Sequence, residues 1–386
     1  MAESPLSQLL LEFYDQNGRF LPWRNRHDPY AIWISEVMLQ QTGVAAVIPY
    51  YDRFMQVFPT LQSLAQASLE QVLFHWQGLG YYQRARRLHQ TAQIVVEQHG
   101  GILPQQLDQL MALPGIGRNT ACAILAIAFN HPYAILDGNV KRVLTRLMAI
   151  DSPLDHATTR RLWQLAQQMT SPQRPGDYAQ AIMDLGATLC TPRQPQCQRC
   201  PWQDPCQARK TGDPQHYPVT VMTGSHKPHR WQLGLLLLRP DGSLLLLQRP
   251  GHGLLAGLWQ PLCGPLSSDP PDESAVATMG RDSGLVTTDW HVIARPLRHT
   301  FTHFHLTLLP WQGRWLAGDP DAGALGYQSW CWASVDEASR LPMATLHRKL
   351  LQMFGWSLQP AFHPLTPVEA VSGQEGQQNV SLLPED

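Results

Sequence analysis

The sequence predicts a multidomain chain, an all-α domain followed by a smaller α+β domain. Three observations lead there. At 386 residues the chain is too long for one ordinary hydrophobic core and suits two. From Leu6 to about Arg209, apolar residues recur at three- and four-residue spacing, the period of helices that bury one face. After Trp231 the texture changes to short apolar runs bounded by turn residues, which read as strands. Between the two, TGDPQHYPVTVMTGSHKPHR holds three prolines and no period. Residues 1–215 are therefore assigned to the helical domain, 216–230 to a linker and 231–360 to the α+β domain. Residues 361–386 are rich in Gln, Ser and Gly and are expected to be a disordered tail.

The elements follow in order. Leu61, Leu64, Ala65 and Leu69 share one helical face, as do Val140, Val143, Leu144 and Leu147. Ser68 before LEQVLFHW and Asp137 before GNVKRVLTRLMAI are capping signals. In the second part, LGLLLL and SLLLLQR flank Arg239-Pro240-Asp241-Gly242, a hairpin turn. Further strands are expected around Trp290–Ala294 and Phe304–Leu309, and a helix at Met343–Phe354.

Composition bounds the function. The longest uncharged apolar run, Ala121–Phe129, has nine residues, well short of the ~20 of a membrane span. The start, MAESPLSQLLLEFYDQNG, has no basic n-region, so the expectation is a non-exported, cytoplasmic protein with no membrane partner. Net charge −1 hides an asymmetry: residues 1–216 carry 18 Lys and Arg against 16 Asp and Glu. The basic residues cluster, as Arg84, Arg86 and Arg87 and as Lys141, Arg142 and Arg146. Such patches suit either solvated helix faces or phosphate contact within a Debye length.

Four constellations carry chemistry. Cys190, Cys197, Cys200 and Cys206 have the spacing C-x6-C-x2-C-x5-C, dense enough to read as metal ligands in a reducing compartment. Structural zinc usually takes two short knuckles, and here there is one; four thiolates from one loop can instead hold an iron–sulfur cubane. Cys122, Cys263 and Cys331 sit in apolar stretches and are expected to be buried. The segment Leu113-Pro114-Gly115-Ile116-Gly117-Arg118-Asn119-Thr120-Ala121 can turn tightly and present backbone N–H groups to a phosphate, or simply connect two packed helices. Asp137 is either an ordinary N-cap or a carboxylate facing a developing positive charge. In WISEVMLQQT, helical spacing puts Glu36 and Gln40 on one face amid Trp, Met and Leu. There Glu36 is either salt-bridged or an acid with a raised pKa.

Taken together, the LPGIGRNTA hairpin, the Asp about twenty residues later and the cysteine loop resemble the helix-hairpin-helix DNA glycosylases of the endonuclease III superfamily. Within these, SEVMLQQT, GLGYYQRARRLH and LDGNVKRVL resemble the adenine-specific, MutY-type branch. The resemblance extends from residue 6 to about 355. It implies a monomeric base-excision enzyme that acts on duplex DNA and removes adenine mispaired with 8-oxoguanine or guanine. It also implies a [4Fe-4S] cluster on the four cysteines, with Glu36 as general acid and Asp137 as the carboxylate that stabilises the sugar cation. Asn139 would orient the two. By the same resemblance Gln41 and Tyr81 enter the base stack, and Leu113, Gly115, Gly117, Asn119 and Arg142 contact DNA. Arg19, Arg24, Leu39 and Gln180 would line the adenine pocket.

Asn119 stands where endonuclease III carries a lysine, and an amide cannot form a Schiff base, so strand cleavage is not expected. The second domain resembles the Nudix fold without its catalytic signature. Ahead of Gly284-Leu285 the chain reads ATMGRD, and one acid cannot build the Mg²⁺ site. What remains is a recognition module, in which Phe301, Thr302 and His303 match a loop that detects 8-oxoguanine. Two alternatives are an endonuclease III-like glycosylase/lyase for oxidised pyrimidines and a non-catalytic iron–sulfur DNA-binding protein. Asn119 and the C-terminal domain oppose the first, and the joint presence of Glu36 and Asp137 opposes the second.

Overall fold

Capping side chains punctuate the helical half of the protein, a computed structural model that describes residues 3–24, 26–219 and 227–358. The expected tail and residues 220–226 of the expected linker lie outside the described residues. The helices are α1 (Pro5–Asn17), α2 (Pro29–Leu39), α3 (Val44–Val57), α4 (Leu61–Gln66), α5 (Leu69–Trp76), α6 (Gln83–His99), α7 (Leu107–Met111), α8 (Arg118–Phe129), α9 (Gly138–Leu147), α10 (His156–Met169), α11 (Pro175–Asp184) and α12 (Gln207–Lys210). Ser68 and Gln71 close a capping box at the start of α5, and Asp137 accepts from the Val140 N–H at the start of α9, as their positions predict.

Two apolar clusters fill this half. One gathers Trp33, Phe54, Trp76 and Leu88, the other Leu10, Val140, Leu144, Tyr178 and Trp202. Helix α8 is apolar on all sides and separates them. Its Ala121, Ile124 and Leu125 belong to the first cluster, and Cys122, Ala123 and Ala126 to the second. Helix α2 is nearly as buried, and Glu36 is the one residue in its middle that retains access to solvent.

The second half is a mixed sheet of β1 (His229–Leu238), β2 (Leu244–Gln248), β3 (Trp259–Gln260), β4 (Leu262–Cys263), β5 (Val286–Val292), β6 (Leu297–Thr300), β7 (His305–Ala317) and β8 (Ser329–Ala333). Helices α13 (Glu273–Asp282), α14 (Val335–Arg340) and α15 (Thr345–Met353) accompany it. The main path runs β3-β2-β1-β7-β5, with β1 and β7 parallel and β1 and β2 joined by the expected hairpin at Gly242. Sequence periodicity located β1, β2, β5 and α15. It did not find β3, β4, β6, β8, α13 or α14, and it stopped β7 eight residues short of Ala317. Beyond Leu309, one face of β7 still packs Trp311 and Trp315 while the other turns polar with Gln312 and Arg314. Cys122 and Cys263 are buried, whereas Cys331 on β8 is only half-buried.

The two halves are joined by more than chain connectivity. Leu258 and Ala344 from the second half complete the first apolar cluster of the helical half. The Trp259 Nε1–H donates to Glu70 at 2.6 Å, and the Met343 N–H donates to the buried Gln77 amide oxygen at 2.7 Å.

Candidate active site

Glu36 projects from the buried helix α2 into a small cavity of about 40 Å³. Arg19, Arg24, Leu39 and Gln180 line the same cavity, together with Trp23, Ser35 and Met183. The four residues that the resemblance places around adenine are thus brought together from the α1–α2 loop, α2 and α11. The cavity is large enough for water but not for a purine as it stands, so base entry requires its walls to part.

Burial first, and then the nearby charge of Asp137, lift the Glu36 carboxyl from 4.5 to about 7, with Arg24 opposing both. The carboxyl therefore retains its proton close to neutrality, as a general acid must. Asp137 lies close enough for its charge to bear on Glu36, and it is held rigidly. One oxygen accepts from the Val140 N–H at 2.7 Å and the other from Asn139 Nδ2 at 3.3 Å. Asn139 is held in turn: its amide oxygen accepts from Arg142 Nη2 at 2.8 Å. Arg142 also donates to the carbonyls of Gly186 and Cys190, so its guanidinium is turned inward and joins the Asp137 turn to the cysteine loop. Gly186 makes this approach possible, since a Cβ there would sit 2.8 Å from the Asn139 Cβ.

Asp184 was missed by the sequence reading, yet it organises the cavity wall. It is buried and receives two hydrogen bonds from Arg24, at 2.6 and 2.7 Å, and two from Arg19, at 2.7 and 3.1 Å. Burial alone would raise its pKa, but the two guanidiniums outweigh burial and hold it below the usual carboxylate range. A signal was available: Asp184 lies three residues after Ala181, on the same helical face as the apolar stripe of Tyr178, Ala181 and Leu185. An acid on a buried face needs a cationic partner.

The hairpin lies between α7 and α8. Gly115 sits at φ +81°, where a Cβ would meet the Arg87 Cβ at 2.9 Å, so only glycine fits this turn. Gly117 is the exposed N-cap of α8, and Leu113 is buried beneath it. The Asn119 side chain faces inward, its oxygen accepting from the Leu136 N–H at 2.7 Å, which fixes the segment that leads to Asp137.

Gln41, Tyr81 and Gly115 open onto a cleft of about 750 Å³ between the two halves, with His299, Phe301 and Thr302 across from them. Residues 301–304 form the tip of the β6–β7 hairpin, closed by Thr300 opposite His305 and by the Phe301 N–H donating to the Phe304 carbonyl. Phe301 stacks on Phe304 with ring centroids 4.8 Å apart, while Thr302 and His303 are exposed. His303 does not line the cleft; His299 does, with its ring edge-on to Phe301 at 4.6 Å.

Around the cysteines, no three metal-ligating side chains among the described residues converge on one point, as a single ion would require. The four thiols nevertheless share one space, since Cys190, Cys197 and Cys206 all bear electrostatically on Cys200. A buried guanidinium, Arg146, places Nη1 3.4 Å from the Cys190 sulfur. Four soft donors beside a buried cation suit an anionic cluster larger than one ion.

Comparison with known proteins identifies the family. Residues 34–168 match the family of HhH-GPD superfamily base excision DNA repair proteins, and residues 234–353 match the NUDIX domain family. The chain is 44% identical over 304 residues to the adenine DNA glycosylase of Homo sapiens, covering 65% of this chain and 56% of that protein. It is 35% identical over 310 residues to the adenine DNA glycosylase of Schizosaccharomyces pombe, covering 65% of this chain and 67% of that protein. The chain belongs to the adenine DNA glycosylase family. It spans somewhat over half the length of its human and rat relatives. The solved structure of a thermostable thymine-DNA glycosylase is 27% identical, covering 53% of this chain and 95% of its own, with a TM-score of 0.48. Among the described residues no helix is long and apolar enough to cross a membrane.

Proposed function

We propose that this protein is a monofunctional adenine DNA glycosylase that excises adenine paired with 8-oxoguanine or guanine in duplex DNA, working as a monomer in a bacterial-type cytoplasm. The observation that carries the proposal is a pair of carboxyls close enough to interact: Glu36 lines the cavity and is raised to about 7, chiefly by burial and then by the charge of Asp137, and Asp137 is pinned at the start of α9. N-glycosidic cleavage needs such a pair. Glu36 donates its proton to adenine N7. The C1′–N9 bond then breaks, its electron pair leaves with the base, and the ionised Asp137 stabilises the oxocarbenium-like sugar. Water adds to C1′ and gives its proton to the Glu36 carboxylate, which restores the acid and leaves an abasic sugar. Asn119 is an amide, so no lysine is present there to continue to strand cleavage.

Extrusion of the nucleotide from the stack precedes chemistry. Gln41 and Tyr81 would fill the space it leaves, Gly115 and Gly117 would grip the phosphates, and Arg19, Arg24, Leu39 and Gln180 would receive the base. The domain carrying Phe301, Thr302 and His303 would read the 8-oxoguanine left behind, and its position across the cleft from Tyr81 supports this. Residues 1–215 would supply catalysis and 231–360 recognition. Cys190, Cys197, Cys200 and Cys206 would hold a [4Fe-4S] cluster, which supplies a rigid, charged support for the loop rather than a reacting group.

A gel assay on duplexes containing 8-oxoguanine:A, G:A and thymine glycol tests the reading. Breaks at the first two that appear only after alkali are expected. Breaks at thymine glycol without alkali would point to a glycosylase/lyase, and binding without base release to a non-catalytic protein.

A further inference from the structure

Two side chains that face the interdomain cleft, Gln41 and Tyr81, have left-handed backbones, at φ +57° and +50°. Neither is glycine, so each conformation is disfavoured in isolation and must be imposed by its surroundings. A single guanidinium touches both segments. Arg84, on the first turn of α6, donates through Nη1 to the carbonyls of Val37 at 2.9 Å and Met38 at 2.7 Å, and also to that of Gln40. Through Nη2 it donates to Thr42 Oγ1 at 3.0 Å and to the Gly80 carbonyl at 3.3 Å. These acceptors lie on either side of Gln41 and immediately before Tyr81. The group also lies over the Trp76 and Tyr81 rings, at 5.4 and 5.2 Å from their centroids.

The carbonyls of Val37 and Met38 are among the last of α2, Val37 also accepting from the Gln40 N–H at 3.4 Å, so a cation there opposes the negative end of the helix. Burial lowers the Arg84 pKa to about 10, which leaves it charged at neutral pH. Lysine cannot reproduce the arrangement, because an ammonium offers no planar fork spanning two segments.

We propose that Arg84 is a positioning residue that holds Gln41 and Tyr81 in their left-handed conformations before DNA binds, so that both are preset to enter the duplex together. This rests on the reading above that these two side chains fill the space left by the extruded nucleotide. Without the fork, the two segments relax to ordinary backbone conformations, and the ordering must be recovered on each encounter with DNA.

The test uses the full chain with Arg84→Lys, and Thr42→Val as a milder variant that removes one acceptor and leaves the guanidinium in place. The readout is the fluorescence of 2-aminopurine placed opposite 8-oxoguanine, which rises as the base leaves the stack. Affinity for undamaged duplex and melting temperature are measured in parallel. Arg84→Lys should reduce the extrusion equilibrium about tenfold or more and Thr42→Val less, with affinity for undamaged duplex unchanged. Amide exchange at residues 39–42 and 80–82 of the free protein should quicken in both variants. A merely structural role predicts equal loss on both DNAs, in step with melting. Extrusion within twofold of the parent in both variants, while Gln41→Ala and Tyr81→Ala impair it, would overturn the proposal. If Gln41→Ala and Tyr81→Ala leave extrusion intact, the underlying reading fails instead, and the proposal falls with it.

Discussion

Replacing Glu36 by Gln separates chemistry from stability, and the structure sets the sign of each. Burial, then the Asp137 charge, raises the carboxyl from 4.5 to about 7. A carboxyl raised on folding binds its proton more tightly in the native state. Its contribution is therefore complete below about pH 4.5 and is lost as pH climbs to about 7. At 1.36 kcal/mol per unit, that shift corresponds to roughly 3 kcal/mol of native-state penalty for the ionised form at pH 8. Gln has the shape of the protonated acid and cannot ionise. The variant should therefore match the parent near pH 4.5 and exceed it at pH 8 by up to roughly 3 kcal/mol in denaturant unfolding. Base release in single-turnover assays should vanish at every pH, while the parent should lose rate as pH rises through about 7. An identical pH dependence of unfolding in the two proteins, or near-normal base release in the variant, would refute the assignment of Glu36 as a buried acid.

Three further outcomes are expected. Asp184→Ala leaves the Arg24 guanidinium buried beside no anion, so it should destabilise by roughly 3–5 kcal/mol in denaturant unfolding and collapse the cavity wall; an unchanged transition midpoint would contradict the packing described. Phe301→Ala combined with His303→Ala should lower release opposite 8-oxoguanine more than opposite guanine, by at most a few kcal/mol in kcat/KM. Equal losses on both mismatches would remove the lesion-reading role and leave the glycosylase standing. The purified protein should be brown, with broad absorption near ~400 nm, and should contain iron; metal analysis finding one zinc and no iron would exclude the cluster.

The architecture of each half was legible because its determinants are local. Helical period, the capping box at Ser68 and the hairpin at Gly242 are properties of a few neighbouring residues, and they stand where the pattern places them. Periodicity missed β3, β4, β6, β8, α13 and α14; β6 and β8 draw their order from strands elsewhere in the chain. Strand β6 is four residues of mixed polarity and forms because β7 supplies its ladder.

The site divides in the same way. That Glu36, Asp137 and the four cysteines are candidates to carry chemistry was readable from residue type and order. What each does physically was not. A helix glutamate has an ordinary pKa until packing desolvates it and brings the charge of an N-cap aspartate close. Asp184 clamps Arg19 and Arg24 from more than 150 residues away, and Arg84 binds two turns that no local pattern connects. Sequence by itself determined which groups this protein possesses. Only the tertiary structure decided which of them are desolvated, paired and held in strained conformations, because burial and charge proximity depend on the whole fold rather than on any one segment.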